Sequence, residues 1–441
     1  MEFCKYIAYN SPVLKYLIKG GISLNGEVRV SGSKNAALPI MCATLLTKEK
    51  CVIKNIPEID DVLSMIEILK TLGSNIKFSR GTLEIETPDI KAVKPPEDAV
   101  CHMRASILIA GPLLARKGYV DMGFPGGCIL GKRPINIHTF VFKKFGAVIK
   151  NQTTRLEISA RKLKGAEIIL PEMSVTATEN AVMSAVLADG ITEIRLAATE
   201  PHIQDLCKML NKMGAKISGI GTNILKIAGV KSLHGVNYEV CGDYLEAGTF
   251  ALAGIITKGN IKINGIDTSA LDILWQKLDE IGAKFKVERN SIETFPYKNS
   301  LKPTQIRTAV YPSFPTDLQA PMGVLLTQAK GVSKVFETLF EGRLGYLFEL
   351  EKMGAKVEII NPHQALIIGP SHLRGCPVSS MDIRAGAAMV IAALSAKGIT
   401  EISNIQYLHR GYEKLDEKLN KLGAQITKIA VGSFDFLKKK E

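Results

Sequence analysis

The chain has 441 residues, of which 46% are hydrophobic and 22% charged, with a formal net charge of +13 and a pI near 9.2. No apolar run approaches the roughly 18 residues that a membrane-crossing helix needs, and the N-terminal MEFCKYIAYNSPVLKYLIKGG lacks both the long apolar core and the small-residue cleavage site of a signal peptide. The basic residues are dispersed (KKFGAVIK, NKMGAK, LKKKE) and form no stripe interleaved with aromatics, so they argue against a nucleic-acid partner and leave anionic small substrates or a lysine-rich background as the source of the charge.

Eight cysteines, at Cys4, Cys42, Cys51, Cys101, Cys128, Cys207, Cys241 and Cys376, form no CxxC and share no zinc-ligand spacing with histidine. A reduced, cytoplasmic protein with no metal and no cofactor is expected, with most thiols serving as small buried hydrophobes.

In chain order the first regularity is LKTLGSNIKF, followed by FKKFGAVIKN, LNKMGAKISG, LDEIGAKFKV, LEKMGAKVEI and LNKLGAQITK. These segments centre on Gly73, Gly146, Gly214, Gly282, Gly354 and Gly423, a repeat of about seventy residues. Each reads as an amphipathic helix end, a glycine in the left-handed cap position, and then a β-branched alternation that predicts a strand. Upstream of most copies lies a helix of small and apolar residues and a further strand, as in NAVMSAVLADGITEIRL, GTFALAGIITKGNIKING and GAAMVIAALSAKGITEISN. Small residues permit close helix contact, so these helices are expected at the centre of the fold. Each repeat thus reads as β-α-β-α-β-β. Six of them predict an α/β protein of two domains, three repeats in each with pseudo-threefold symmetry, and a crossover near NYEVCGDYLEAG.

Repeats supply a scaffold, and chemistry is expected where a repeat departs from the pattern. SGSKNAALP places Lys34 and Asn35 at the start of a small-residue helix, a cradle for an anion or simply a surface lysine beside a cap. CHMRASILIAGPLL places Arg104 at the start of an apolar helix, where a charge without a partner is costly. GFPGGCILGKRPINIH then inserts a glycine-rich turn where other repeats run straight into their buried helix. Gly126 to Lys132 has the spacing of a phosphate loop, but Arg133 follows in place of Ser or Thr and Pro134 sits where the helix should begin. Cys128 and His138 alone are too few ligands for a metal knuckle. The remaining reading is a loop that opens and closes, with the Cys128 thiol made more acidic by Lys132 and Arg133 and able to act as acid or nucleophile.

Further along, YPSFPTDLQAP holds Asp317 in a proline-bounded turn, where it is either a site carboxylate or a helix N-cap. FEGRLGYL carries Glu341 and Arg343, SMDIRAGAAM carries Asp382 and Arg384, and HRGYEKL carries Arg410. Each places an arginine at or near a helix start, and together they suggest a cluster for a multiply charged anion.

Taken together, SGSKNAALP, the PGGC loop with its RP and His, SVTATEN, FPTDLQA, FEGR, DIRAGAA and RGYE resemble the UDP-N-acetylglucosamine enolpyruvyl transferases (1-carboxyvinyltransferases) of the EPSP synthase superfamily. The resemblance runs from about Gly20 to the C-terminus, and the cysteine loop is its most specific motif. It implies two inside-out α/β barrels, one over roughly 34–241 and the other combining residues 1–33 with 242–441. It implies transfer of the enolpyruvyl group of phosphoenolpyruvate to the 3-hydroxyl of UDP-N-acetylglucosamine, with release of phosphate by addition and elimination.

On the same resemblance, Cys128 protonates carbon 3 and can add to carbon 2, and Asp317 takes the hydroxyl proton or assists the later proton loss. Lys34, Asn35, Arg133, Arg384 and Arg410 match groups that bind phosphoenolpyruvate, with Lys34 and Arg410 counted among the catalytic set. Asn35, Arg104, Arg133, Pro134, Ile135, Asn136, Ile137, Ser174, Val175, Thr176, Asp317 and Leu339 match positions at the nucleotide sugar. Arg343 and Asp382 match further active-site positions. The family also implies small-molecule partners only, with no nucleic acid and no membrane, a monomer, and sensitivity to the epoxide fosfomycin through the thiol. Four positions depart from the family's pattern: His409 stands where many relatives place an acid, Tyr244 where an arginine is usual, Glu172 where a lysine can occur and Asn136 where an aspartate is frequent.

Overall fold

The structure, a computed structural model, describes residues 13–126, 134–151 and 155–431. It divides into two compact units, 13–30 with 244–431 and 31–126 with 134–243, and the chain passes between them at Val30–Ser31 and Asp243–Tyr244.

All six glycines singled out by the repeat have positive φ: Gly73 (110°), Gly146 (88°), Gly214 (98°), Gly282 (81°), Gly354 (96°) and Gly423 (96°). The left-handed region carries no steric cost for glycine, so each helix can end there and turn at once into a strand. The strands follow where the sequence places them, at Asn75–Ser79, Val148–Asn151, Lys216–Ser218, Lys284–Glu288, Lys356–Asn361 and Gln425–Val431.

In the unit of residues 31–243, three sheets surround three central helices, α1 (Lys34–Ala43), α2 (Ala110–Lys117) and α3 (Val175–Ala185). The third repeat follows the predicted order in full. Glu167–Ile169 pairs parallel with Ile191–Arg195, which pairs antiparallel with Ile224–Ala228, and that strand pairs with Lys216–Ser218. The first repeat takes its parallel edge strand, Asn237–Glu239, from the far end of the unit. The second repeat departs from the pattern. Among the described residues its sheet has three strands, Tyr119–Gly123, Arg155–Ser159 and Val148–Asn151, and a short helix, Glu97–His102, stands where a leading strand was expected. Gly111 shows why central helices need small residues, since a Cβ there would lie 2.8 Å from Asn180 Oδ1.

The unit of residues 13–30 and 244–431 repeats the plan around α4 (Tyr244–Ile256), α5 (Gln319–Leu326) and α6 (Ile383–Ser395), which pack on one another. Every residue of α4 is buried, including Glu246, whose carboxylate is paired with Lys418. Phe250, Leu252 and Ile255 are 0–1% exposed, and each such side chain contributes about 1.5–3 kcal/mol on burial. The N-terminal strand Val13–Lys19 fills the last repeat's sheet, antiparallel to both Ile399–Ser403 and Gln425–Val431. Asn25–Arg29 supplies the parallel edge beside Asn260–Asn264.

One expectation needs correction. The glycine-rich insertion does not precede a central helix. It follows the strand Tyr119–Gly123 and leads into Asn136–Lys144, an amphipathic helix that buries Ile137, His138, Val141 and Phe142 and ends in exposed lysines. The 3.6-residue period of NIHTFVFKK, with one apolar face, marks an outer-layer helix.

Candidate active site

Asp317 sits in the turn Thr316–Leu318 that leads into α5. Its Oδ1 accepts from Arg343 Nη1 at 2.8 Å, and its Oδ2 accepts from Arg384 Nη2 at 3.0 Å. The two arginine side chains are 5% and 7% exposed, whereas Asp317 is 26% exposed, so the carboxylate is the member of the trio that reaches solvent. Burial by itself would raise its pKa, but the guanidiniums of Arg384 and Arg343 outweigh that and hold the carboxyl well below the usual carboxylate range. It does not cap a helix. Pro315 holds the N-cap position of its turn, with no side-chain bond.

The arginines are in turn fixed by their surroundings. Arg343 Nη1 also donates to Thr316 Oγ1 at 2.8 Å, and its guanidinium lies 5.1 Å from the Phe340 ring. Its Nε is buried and has no hydrogen-bond partner among the described residues. Arg384 lies 5.4 Å from the Tyr412 ring, and Tyr412 Oη is hydrogen bonded to Thr249 Oγ1 at 2.9 Å. Asp382 is the N-cap of α6, accepting from the backbone N–H of Arg384 at 2.7 Å and of Ala385 at 2.9 Å. A cap of that kind fixes the helix start and so the direction from which Arg384 projects. Arg410 follows the short helix Gln406–His409 as its C-cap residue, shortly before the helix Leu415–Lys421, and is half-buried. Leu339 is 40% exposed on the loop after Gly331–Phe336.

The other unit carries the remaining cations. Lys34 opens α1, and its ammonium lies 2.6 Å from Asp61 Oδ2, with the two side chains 13% and 5% exposed. Asp61 belongs to the helix Asp60–Leu72 and was not singled out from the sequence, because an Asp-Asp pair opening a helix reads as ordinary dipole matching. Asn35 is the next residue of α1. Arg104 opens the 3-10 segment Arg104–Ile109, and its Nη2 donates to the carbonyl of Pro134 at 2.9 Å. That bond ties the helix bearing Asn136 and Ile137, and the adjoining Ile135, to a cation.

His138 is a structural hub. Asn180 Nδ2 donates to its Nδ1 at 3.1 Å, so the neutral ring carries its proton on Nε2 and donates to Thr176 Oγ1 at 3.1 Å. Asn180 also donates to the carbonyl of Ile107 and accepts from the N–H of Gly111. Burial first, and then the charge of Arg104, push the His138 pKa down to about 3. The network thereby fixes Ser174, Val175 and Thr176, the entry to α3, against two other helices.

Cys128 and Arg133 lie outside the described residues. Of the thiols among the described residues, Cys42, Cys51 and Cys207 are buried, and Cys101, Cys241 and Cys376 are half-buried. Burial pushes the Cys51 thiol up to about 11 and Cys207 to about 12, which makes them poor nucleophiles. Among the described residues no helix is long and apolar enough to cross a membrane.

Arg343 and Arg384 keep the Asp317 carboxylate between them ionised, and comparisons with known proteins identify the family. Residues 18–419 match the family model described as EPSP synthase (3-phosphoshikimate 1-carboxyvinyltransferase). The chain is 45% identical to UDP-N-acetylglucosamine 1-carboxyvinyltransferase 2 of Carboxydothermus hydrogenoformans, over 94% of this chain and 99% of that protein. It is 42% identical to the UDP-N-acetylglucosamine 1-carboxyvinyltransferase of Treponema denticola, over 93% and 98%. Among solved structures, the enolpyruvyl transferase NikO from Streptomyces tendae superposes with a TM-score of 0.87 at 25% identity, covering 95% of this chain and 99% of that one. An EPSP synthase from Acinetobacter baumannii, at 19% identity and a TM-score of 0.73 over 94% and 100% of the two chains, shares the fold. The inside-out arrangement of six repeats, the near-complete coverage and the identity level place this chain in the EPSP synthase family, where it belongs with the UDP-N-acetylglucosamine 1-carboxyvinyltransferases.

Proposed function

We propose that the protein transfers the enolpyruvyl group of phosphoenolpyruvate to the 3-hydroxyl of UDP-N-acetylglucosamine and releases phosphate, the first committed step of peptidoglycan synthesis, in the cytoplasm and as a monomer without nucleic-acid or membrane partners. The observation that carries this reading is the 41–45% identity, over almost the whole chain, to curated relatives that all bear the UDP-N-acetylglucosamine name. The Asp317–Arg343–Arg384 trio supports it, because the reaction needs cations for a phosphate and a carboxylate and an ionised group for a hydroxyl proton.

In this reading Cys128 delivers a proton to carbon 3, and the sugar oxygen bonds to the cationic carbon 2. Loss of a proton from carbon 3 and of phosphate from carbon 2 then restores the double bond. Asp317 accepts the hydrogen bond of the attacking hydroxyl. Clamped by two guanidiniums it is a weak base, so proton transfer to it becomes favourable only as the oxygen bonds to carbon and acidifies. A substrate anion that draws Arg384 toward itself would raise the basicity of Asp317 at the moment it is needed. Lys34, Arg133 and Arg410 hold the phosphate and carboxylate, with Lys34 passing from Asp61 to the incoming anion. Arg104, Asn35, Leu339 and the segments Pro134–Ile137 and Ser174–Thr176 hold the nucleotide sugar, the last two segments fixed by Arg104 and His138.

The test is product identity. Incubation with phosphoenolpyruvate and UDP-N-acetylglucosamine should give, by mass spectrometry, a nucleotide sugar that has gained one enolpyruvyl group, with inorganic phosphate released in equal amount. An unchanged nucleotide sugar after prolonged incubation with active-site-intact protein would refute the assignment.

A further inference from the structure

We propose that Glu337 is a positioning residue for this reaction, acting through the Thr316 hydroxyl to aim Arg343 and Asp317; the inference rests on the enolpyruvyl-transfer reading. Glu337 follows the strand Gly331–Phe336 and is 0% exposed. A fully buried carboxylate is costly unless every lone pair it can use is satisfied. Here four donors converge on it. Its Oε2 accepts from Thr316 Oγ1 at 2.7 Å. Its Oε1 accepts from Thr308 Oγ1 at 3.0 Å and from the backbone N–H of Leu339 at 2.8 Å and Phe340 at 3.2 Å. One side chain therefore ties together the turn that carries Asp317, the loop that carries Leu339 and the end of a neighbouring strand. Its own backbone is held from both sides, with its N–H donating to the His363 carbonyl at 2.8 Å and its carbonyl accepting from His363 Nδ1 at 2.7 Å.

Proton direction makes this arrangement specific. A threonine hydroxyl has one hydrogen to give. Thr316 gives it to Glu337, so its lone pairs remain to accept from Arg343 Nη1 at 2.8 Å. The same Nη1 donates to Asp317 Oδ1 at 2.8 Å. The chain runs from Arg343 through Thr316 to Glu337, and it sets the angle at which Arg343 meets the Asp317 carboxylate. Without the acceptor on Glu337, the Thr316 hydroxyl can turn and donate to Asp317 itself, which displaces the guanidinium and changes the basicity of the carboxylate that must take the hydroxyl proton. A glutamine would not substitute, because one of its two ends presents N–H groups to donors.

The test compares Thr316→Val, Thr316→Ser, Glu337→Gln and the Thr316→Val/Glu337→Gln double variant, each checked for native far-UV circular dichroism. Wild type is assayed first for phosphate release that depends on UDP-N-acetylglucosamine. Thr316→Val should lower kcat about tenfold, the loss of one charge-assisted hydrogen bond, with KM for phosphoenolpyruvate within about twofold. Thr316→Ser, which keeps the hydroxyl, should stay within about twofold of wild type in both constants. The double variant should fall no further than its worse parent, because both changes cut one chain. A Thr316→Val enzyme with wild-type kcat overturns the proposal even if Glu337→Gln fails to fold, and where Glu337→Gln folds, a double variant whose losses multiply overturns it as well. Wild-type enzyme inactive with the nucleotide sugar would overturn the functional reading instead, a result distinct from both.

Discussion

Replacing His138 by Asn should remove a specific acid sensitivity of the fold. His138 is buried, hydrogen bonded as a neutral ring to Thr176 and Asn180, and has its pKa pushed from 6.5 to about 3 by burial and by Arg104. In the unfolded chain the ring takes up a proton below its ordinary value, while the folded protein keeps it neutral. The folded-state pKa is the lower of the two, so the stabilising contribution is complete above pH 6.5 and declines as pH falls toward 3. Each pH unit in that window costs about 1.4 kcal/mol, so moving to about pH 5 costs about 2 kcal/mol from this residue alone. Urea unfolding followed by circular dichroism near pH 7.5 and about pH 5 gives the difference. Wild type should lose about 2 kcal/mol more than His138→Asn over that interval, whatever the variant costs at neutral pH. Parallel pH dependences for the two proteins would show that His138 does not titrate between the folded and unfolded states, and the hub would have to be redrawn.

Asp317→Asn should reduce kcat by about a hundredfold or more, and it should lower stability by about 3 kcal/mol because Arg343 and Arg384 lose the carboxylate between them. Steady-state phosphate release and urea titration check the two parts separately. Asp61→Asn leaves the ammonium of Lys34 buried without its carboxylate, so added inorganic phosphate should raise the melting temperature of this variant more than that of wild type. Equal shifts would mean that Lys34 does not face an anion site. Gly323→Ala would place a Cβ 2.1 Å from the Tyr346 hydroxyl, and it should cost about 1–3 kcal/mol by overpacking, measured by thermal unfolding.

Much of the scaffold is legible in the sequence because it depends on local signals repeated six times. A glycine after an amphipathic helix and before an alternating run has one economical conformation, and all six such glycines adopt it. The central helices are legible for a similar reason, since runs such as GTFALAGII and GAAMVIAAL leave no polar face for solvent. The short helix in place of the leading strand of the second repeat was not legible, because PPEDAVCH carries no periodicity long enough to separate the two. The placement of the glycine-rich insertion was misread because its flank GKRPINIH hides the start of an outer helix behind a proline.

At the site, the arginines and Asp317 stand out as charges in apolar surroundings. Thr316 and Glu337 behind Arg343, Asp61 beside Lys34 and Asn180 beside the neutral His138 do not, since each is an ordinary residue of its turn, strand end or helix until the fold brings it to its partner. Long-range pairs such as Asp317 with Arg384, or Asn180 with His138, are set by tertiary packing, and no local pattern encodes them.

One measurement addresses the acceptor and the acid together: phosphate release from phosphoenolpyruvate with UDP-N-acetylglucosamine or shikimate 3-phosphate as acceptor, for wild type and Cys128→Ala. Wild type should release phosphate with the nucleotide sugar alone, and Cys128→Ala should lose that release. Release with shikimate 3-phosphate, or with neither acceptor, would contradict the acceptor assignment, and undiminished release by Cys128→Ala would remove the thiol from the mechanism.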